Sequence, residues 1–136
     1  MAVTHVPALR NDFANLKSGQ ATTYAAGTLT KLLIYSGTVP TNAGTALSGN
    51  VVLSTQTALV YAAPSAGVMT STTTADSSAV GGVGTFYRIT KSDGVTAIEQ
   101  GTFTATGSGG DLQATSTTIA AGANVSTSSM TYTSAP

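Results

Sequence analysis

The side chains able to do acid, base, nucleophilic or metal chemistry are few in this sequence and stand far apart. There is one histidine, His5, no cysteine, and five acids, Asp12, Asp76, Asp93, Glu99 and Asp111. A Ser-His-acid relay would have to use His5, which lies near the start of the sequence, where chains are often poorly ordered. No Gly-x-Ser-x-Gly turn and no Ser-x-x-Lys pair accompanies it, so acyl transfer has no recognisable nucleophile. Glycoside hydrolysis needs two converging carboxylates. Two of the five acids have plain structural readings instead, Asp93 in an Asp-Gly turn and Glu99 opposite Arg88 across a hairpin. Asp111 follows Gly107-Ser108-Gly109-Gly110 and reads as a turn acid in preference to a calcium ligand, because no Asp-x-Asp/Asn-x-Asp/Asn loop is present. Gly81, Gly82 and Gly84 precede a strand pattern and no Lys-Ser/Thr, so they do not form a phosphate cradle. Asn124-Val125-Ser126 matches a glycosylation acceptor, a chance match in so Ser/Thr-rich a chain. No cofactor, no metal and no enzymatic activity are expected.

The positions around these residues are small and neutral. Thr, Ser, Ala and Gly fill 77 of the 136 positions, and five basic residues balance five acidic ones for a formal charge of zero. Nucleic acid is not an expected partner, because no cluster of Lys and Arg could neutralise several phosphates. No apolar run approaches the roughly 20 residues that span a bilayer, and no basic start with an apolar run marks a secretory signal. Membrane association is therefore not expected, and synthesis in a cytoplasm is. With 41% hydrophobic residues the chain has the apolar content to fold, and its length suits one domain.

One segment has helical spacing, Pro7 to Lys17, with Leu9, Phe13 and Leu16 on one face and Gly19 as a stop. Residues 1–27 are predicted as an N-terminal helix or extended arm and 28–136 as a β domain. Thr and Val dominate the latter, and turn residues recur at short intervals. Strands are predicted at 28–36, 50–55, 58–62, 67–73, 84–91, 95–105, 112–118 and 124–133, enough for a two-sheet antiparallel sandwich. Asp93-Gly94 between alternating residues predicts a tight hairpin. A two-residue loop there would place Ile89 opposite Ile98, Tyr87 opposite Gln100, and Arg88 opposite Glu99 as an exposed charge pair.

A resemblance rests on Leu32-Leu33-Ile34-Tyr35-Ser36-Gly37-Thr38-Val39-Pro40, on Val51-Val52-Leu53-Ser54-Thr55, and on Gly84-Thr85-Phe86-Tyr87-Arg88-Ile89 with Asp93-Gly94 and Gly101-Thr102. The chain resembles small virion proteins of tailed bacteriophages, among them capsid decoration, or cement, proteins. That resemblance implies a jelly-roll-like β-sandwich and a role on the virion outside catalysis. It implies a homo-oligomer that docks on the major capsid protein of the assembled shell and braces it. Leu9, Arg10, Phe13, Leu16 and Lys17 are the candidate interface residues of the arm. The alternatives are a head-tail connector, tail or fibre-associated subunit, and a carbohydrate- or cell-binding β-sandwich module that would use tyrosines as stacking platforms.

Overall fold

A computed structural model describes residues 30–61, 65, 66 and 68–133. Those residues form nine strands and no helix: β1 (Thr30–Tyr35), β2 (Val52–Tyr61), β3 (Val68–Thr74), β4 (Gly82–Val83), β5 (Phe86–Thr90), β6 (Ala97–Ala105), β7 (Leu112–Ala114), β8 (Thr118–Ile119) and β9 (Met130–Thr133). Seven of them make one sheet in the order β7-β6-β5-β1-β2-β3-β9, and β4 pairs with β8 in a separate ribbon. The all-β class expected from composition is therefore observed. The predicted helix over Pro7–Lys17 and the arm boundary at residue 27 lie outside the described residues.

Opposed residues of an antiparallel ladder point to the same side of a sheet, and this sorts the core into two. Leu32 and Ile34 of β1 stand opposite Ile89 and Tyr87 of β5, while Leu33 and Tyr35 stand opposite Arg88 and Phe86. The first set joins Leu53, Leu59, Phe103, Leu112 and Ile119 in one buried cluster; Leu33, Tyr35 and Phe86 form a second. The first face is covered by the β4–β8 ribbon and the segment after it, which contribute Ile119, Ala123 and Val125. The second is covered by the connection between β1 and β2. A strand covered on both faces has no solvent side to make polar, which is why Leu32–Tyr35 reads as an unbroken apolar run.

The β5–β6 hairpin turns where Asp93-Gly94 predicted, but its register differs from the expected one. Lys91 N donates to Thr96 O at 2.9 Å and Gly94 N to Lys91 O at 3.0 Å, so the loop runs from Ser92 to Val95 with Gly94 at φ +73°. Thr90 pairs with Ala97 as predicted; the register then shifts by one, and Ile89 faces Glu99, Arg88 faces Gln100 and Tyr87 faces Gly101. A single extra residue in one strand moves every later side chain relative to its partner. Arg88 and Glu99 thus lie on opposite faces, and the expected cross-strand charge pair does not form. Glu99 accepts a hydrogen bond from Tyr87 Oη at 3.1 Å instead.

Gly101 is where that pairing requires glycine. A Cβ there would sit 2.6–2.8 Å from the Tyr87 ring atoms Cε1, Oη and Cζ, so the ring lies flat across the bare backbone of the neighbouring strand. Gly101→Ala is expected to lower stability by about 1–3 kcal/mol through overpacking, read as a lower urea midpoint at unchanged slope. An unchanged midpoint would show that the ring moves aside freely.

Elsewhere the connections differ from the predicted strands. The stretch 50–62, predicted as two strands, is one strand, β2, irregular near Ala58, which takes φ +54°. The predicted strand 112–118 divides between β7 and β8. β7 pairs with β6 in parallel after a connection of only residues 106–111. Gly107 and Gly109 take φ +86° and +78° in that turn, and Gly110 lies so close to Thr104 that a Cβ would overlap its Oγ1. Side chains cannot easily follow such a path.

Candidate docking site

Between β1 and β2 the chain runs from Ser36 to Val51 without a strand or helix. Connections of this length are uncommon unless they carry function or fold into a compact Ω-loop. Here the neck is closed by Ser36 N donating to Val51 O at 2.9 Å. Asn50 Nδ2 donates to Ser36 O at 3.0 Å and Thr38 O at 2.9 Å, and its Oδ1 accepts from Ser48 N at 3.2 Å. Asn42 holds the tip in the same way, taking Gly44 N on its Oδ1 at 2.9 Å and Thr45 N on its carbonyl at 3.1 Å. Asn side chains suit both places because they mimic backbone turns.

Arg88 fastens this loop to the sheet. It lies in the middle of β5, is only 4% exposed, and faces the second core beside Phe86 and Tyr35. Its Nε donates to Gln100 Oε1 at 3.0 Å, and its Nη2 donates to Thr45 O at 2.8 Å and Asn42 O at 3.3 Å. Gln100 Nε2 in turn donates to Pro40 O at 2.8 Å. The guanidinium carbon lies 6.0 Å from the centre of the Phe86 ring, which stacks on Tyr35 at 5.0 Å and 8°. Burial pushes the Tyr35 phenol above its ordinary value, and the Arg88 charge offsets part of that rise. On the outer side of the same loop Val39, Leu47 and Val51 are exposed.

Three of the four described carboxylates, Asp76, Asp93 and Asp111, shape backbone by accepting from main-chain amides. Asp93 accepts from Thr96 Oγ1 at 2.6 Å, Val95 N at 2.8 Å and Thr96 N at 2.9 Å, which hold it at about 2 against an ordinary 3.8. Asp111 Oδ2 accepts from Thr102 N and Thr102 Oγ1, both at 2.8 Å, and is lowered for that reason. It is the turn acid that its setting predicted. For Asp76 burial pushes upward, but donors from Ser78 and the Thr55 amide outweigh it and the net shift is downward. Groups depressed in the folded state stabilise it above their unfolded value and lose that contribution as pH falls through the folded one. The thermal midpoint should therefore be flat between about pH 8 and 5 and fall between about pH 4 and 2. Equal midpoints at neutral pH and in that acid window would contradict the assignment.

A second feature is a cavity of about 670 Å³ between the first face and the segment 115–129, lined by Gln56, Phe103, Leu112, Ile119, Val125 and Thr127 among others. Gln56 Oε1 accepts from Thr73 Oγ1 at 2.6 Å and Thr127 N at 2.7 Å, while its Nε2 is buried without a partner among the described residues. Among the described residues no three of His, Cys, Asp and Glu come together to hold a metal ion, and no helix is long and apolar enough to cross a membrane.

Leu9, Arg10, Phe13, Leu16 and Lys17 lie outside the described residues, so their grouping is not part of this site. Sequence reasoning missed Arg88 by pairing it with Glu99 on a solvent face. The available signal was a lone charge inside the apolar stretch Phe86-Tyr87-Arg88-Ile89. Comparison of the chain with protein-family models, curated proteins and solved structures finds no match in any of the three.

Proposed function

We propose that this chain is a structural subunit of a tailed-bacteriophage virion, of the capsid decoration or cement type. In this reading it binds the outside of the assembled major capsid shell as a homo-oligomer and stabilises it. The observation that carries the reading is how the charges are spent. Asp93 is an acceptor within its turn, Asp76 and Asp111 accept from Thr55 of β2 and Thr102 of β6, Glu99 serves Tyr87, and Arg88 is buried under the loop. What remains outside is largely Ser, Thr, Ala and Gly, with exposed Val39, Leu47, Val51, Val80, Val83 and Val95. A surface of that kind is poor at keeping a free monomer soluble and good at close contact with a neighbour, since interface cores are depleted of charge.

The jelly-roll-like sandwich implied by the resemblance belongs to this reading, with the β4–β8 ribbon in the position of a second sheet. The segment containing Leu9, Arg10, Phe13, Leu16 and Lys17 would act as a clamp on a neighbouring subunit or the shell. The test is an image of purified virions at a resolution that locates this chain. Density spread over the outer shell in numbers comparable with the capsid protein is expected. A single ring at the tail vertex would assign the chain to a connector or tail role and overturn the reading.

A further inference from the structure

We propose that Arg88 is a built receptor for one carboxylate, an Asp or Glu side chain or a chain terminus, presented by the protein on which this chain docks. The inference rests on the docking role proposed above and names the chemistry of the contact. A buried charge is ordinarily neutralised by a partner, and Arg88 is nine-tenths buried with no ionic partner among the described residues. Asp76, Asp93, Asp111 and Glu99 are held elsewhere, and Asp12 lies outside the described residues.

The guanidinium has five N–H donors. Nε and Nη2 are taken by Gln100 Oε1 and the carbonyls of Asn42 and Thr45, all neutral acceptors. Nη1 makes no hydrogen bond to a described residue. Among those residues the fully buried side-chain atoms lacking a partner are Ser54 Oγ and Gln56 Nε2; Nη1 is not one of them, so it is not fully sealed although Arg88 as a whole is only 4% exposed. The result is a fixed cation, its orientation set by three hydrogen bonds and the Phe86 ring, with Nη1 unbonded among the described residues. Arg88 is only 4% exposed and lies beside the Phe86 ring, and little contact with water makes a charge-assisted hydrogen bond strong. One cation among carbonyl oxygens suits a single negative charge better than a phosphate, which favours several donors and cations.

The test uses the full chain and acetate as the probe, with chloride at equal ionic strength as reference, and follows the arginine side-chain NMR signals. The chain has two arginines, Arg10 and Arg88, and an Arg10→Lys variant assigns them. A saturable, acetate-specific shift of the Arg88 signals is expected. Gln100→Glu, which supplies an internal carboxylate at Nε, should fold and lose that shift. On virions, the same variant should compete for the shell about tenfold less well than the native chain. Absence of an acetate shift at Arg88, or equal competition by Gln100→Glu, would overturn the inference. Should Gln100→Glu fail to fold, the native titration alone decides. If the native chain does not bind the shell while the acetate shift is present, it is the docking role that fails.

Discussion

Phe86→Ala should remove about 3–5 kcal/mol of stability, the range for deleting a fully buried aromatic side chain. That is a large part of the roughly 5–15 kcal/mol available to a domain. Phe86 is 0% exposed, stacks on Tyr35 and lies under the Arg88 guanidinium. The second core consists of Leu33, Tyr35 and Phe86 with Val52 at its edge. So small a cluster has few neighbours able to collapse into the vacated volume. Urea denaturation reads the change as a lower midpoint. Val95→Ala is the control, at a position 81% exposed, and should stay within about 0.5 kcal/mol of the native protein. A loss below about 1 kcal/mol for Phe86→Ala would mean that the loop and β5 do not enclose a packed core.

Arg88→Met should cost about 2–4 kcal/mol, since hydrogen bonds to charged groups contribute about 1.5–3 kcal/mol each and exposed loop carbonyls recover part of the loss from water. Methionine keeps much of the apolar stem but leaves Gln100 Oε1 and Thr45 O without their donor, while Asn42 O keeps only the Thr45 amide. The effect should be uneven. The Gly44 and Thr45 amides, bonded within the loop tip, should exchange with solvent much faster, while β1 and β5 amides change only with global stability. The exposed charge pair predicted from sequence would give a cost of about 0–1 kcal/mol, so the size of this loss separates the two placements.

Those two placements show where sequence reasoning reaches its limit. The strand at 28–36 was legible from its β-branched and apolar residues, but its burial on both faces was not read from the unbroken run Leu32–Tyr35, which only a strand without a solvent side can tolerate. Asp93-Gly94 located the hairpin for a local reason, the left-handed conformation that Gly94 supplies. The register beyond it was not legible. The extra residue at Ile98 leaves the apolar and polar alternation on each side of it intact, and the pairing of Arg88 with Gln100 follows from that one step. The strand at Leu112 was predicted, but its parallel pairing was not legible for a related reason: a parallel partner six residues after β6 depends on how Gly107, Gly109 and Gly110 fold back, and their spacing alone permits many turns. In Ser/Thr-rich stretches such as 115–129 the hydroxyl residues fit strand, turn and loop equally well, so the pattern carried no decision.

The docking role depends on contacts that are apolar and hydrogen-bonded, with charge confined to a sheltered site. Purified virions held in 1 M NaCl, sedimented and assayed for this chain in pellet and supernatant, test that most directly. Salt at that level shortens the Debye length from about 8 Å to about 3 Å, which weakens exposed charge pairs and leaves apolar burial and sheltered pairs largely intact. An interface of about 800 Å² per partner, repeated across an oligomer, is sufficient to hold the chain through avidity. The chain should remain in the pellet at both 0.1 M and 1 M salt, as expected for a sequence with only ten charges in 136 residues, of which Asp76, Arg88, Asp93, Glu99 and Asp111 are engaged in contacts within the fold. Retention at 0.1 M with quantitative release at 1 M would mean that exposed charge pairs hold it, and would contradict the proposed mode of docking.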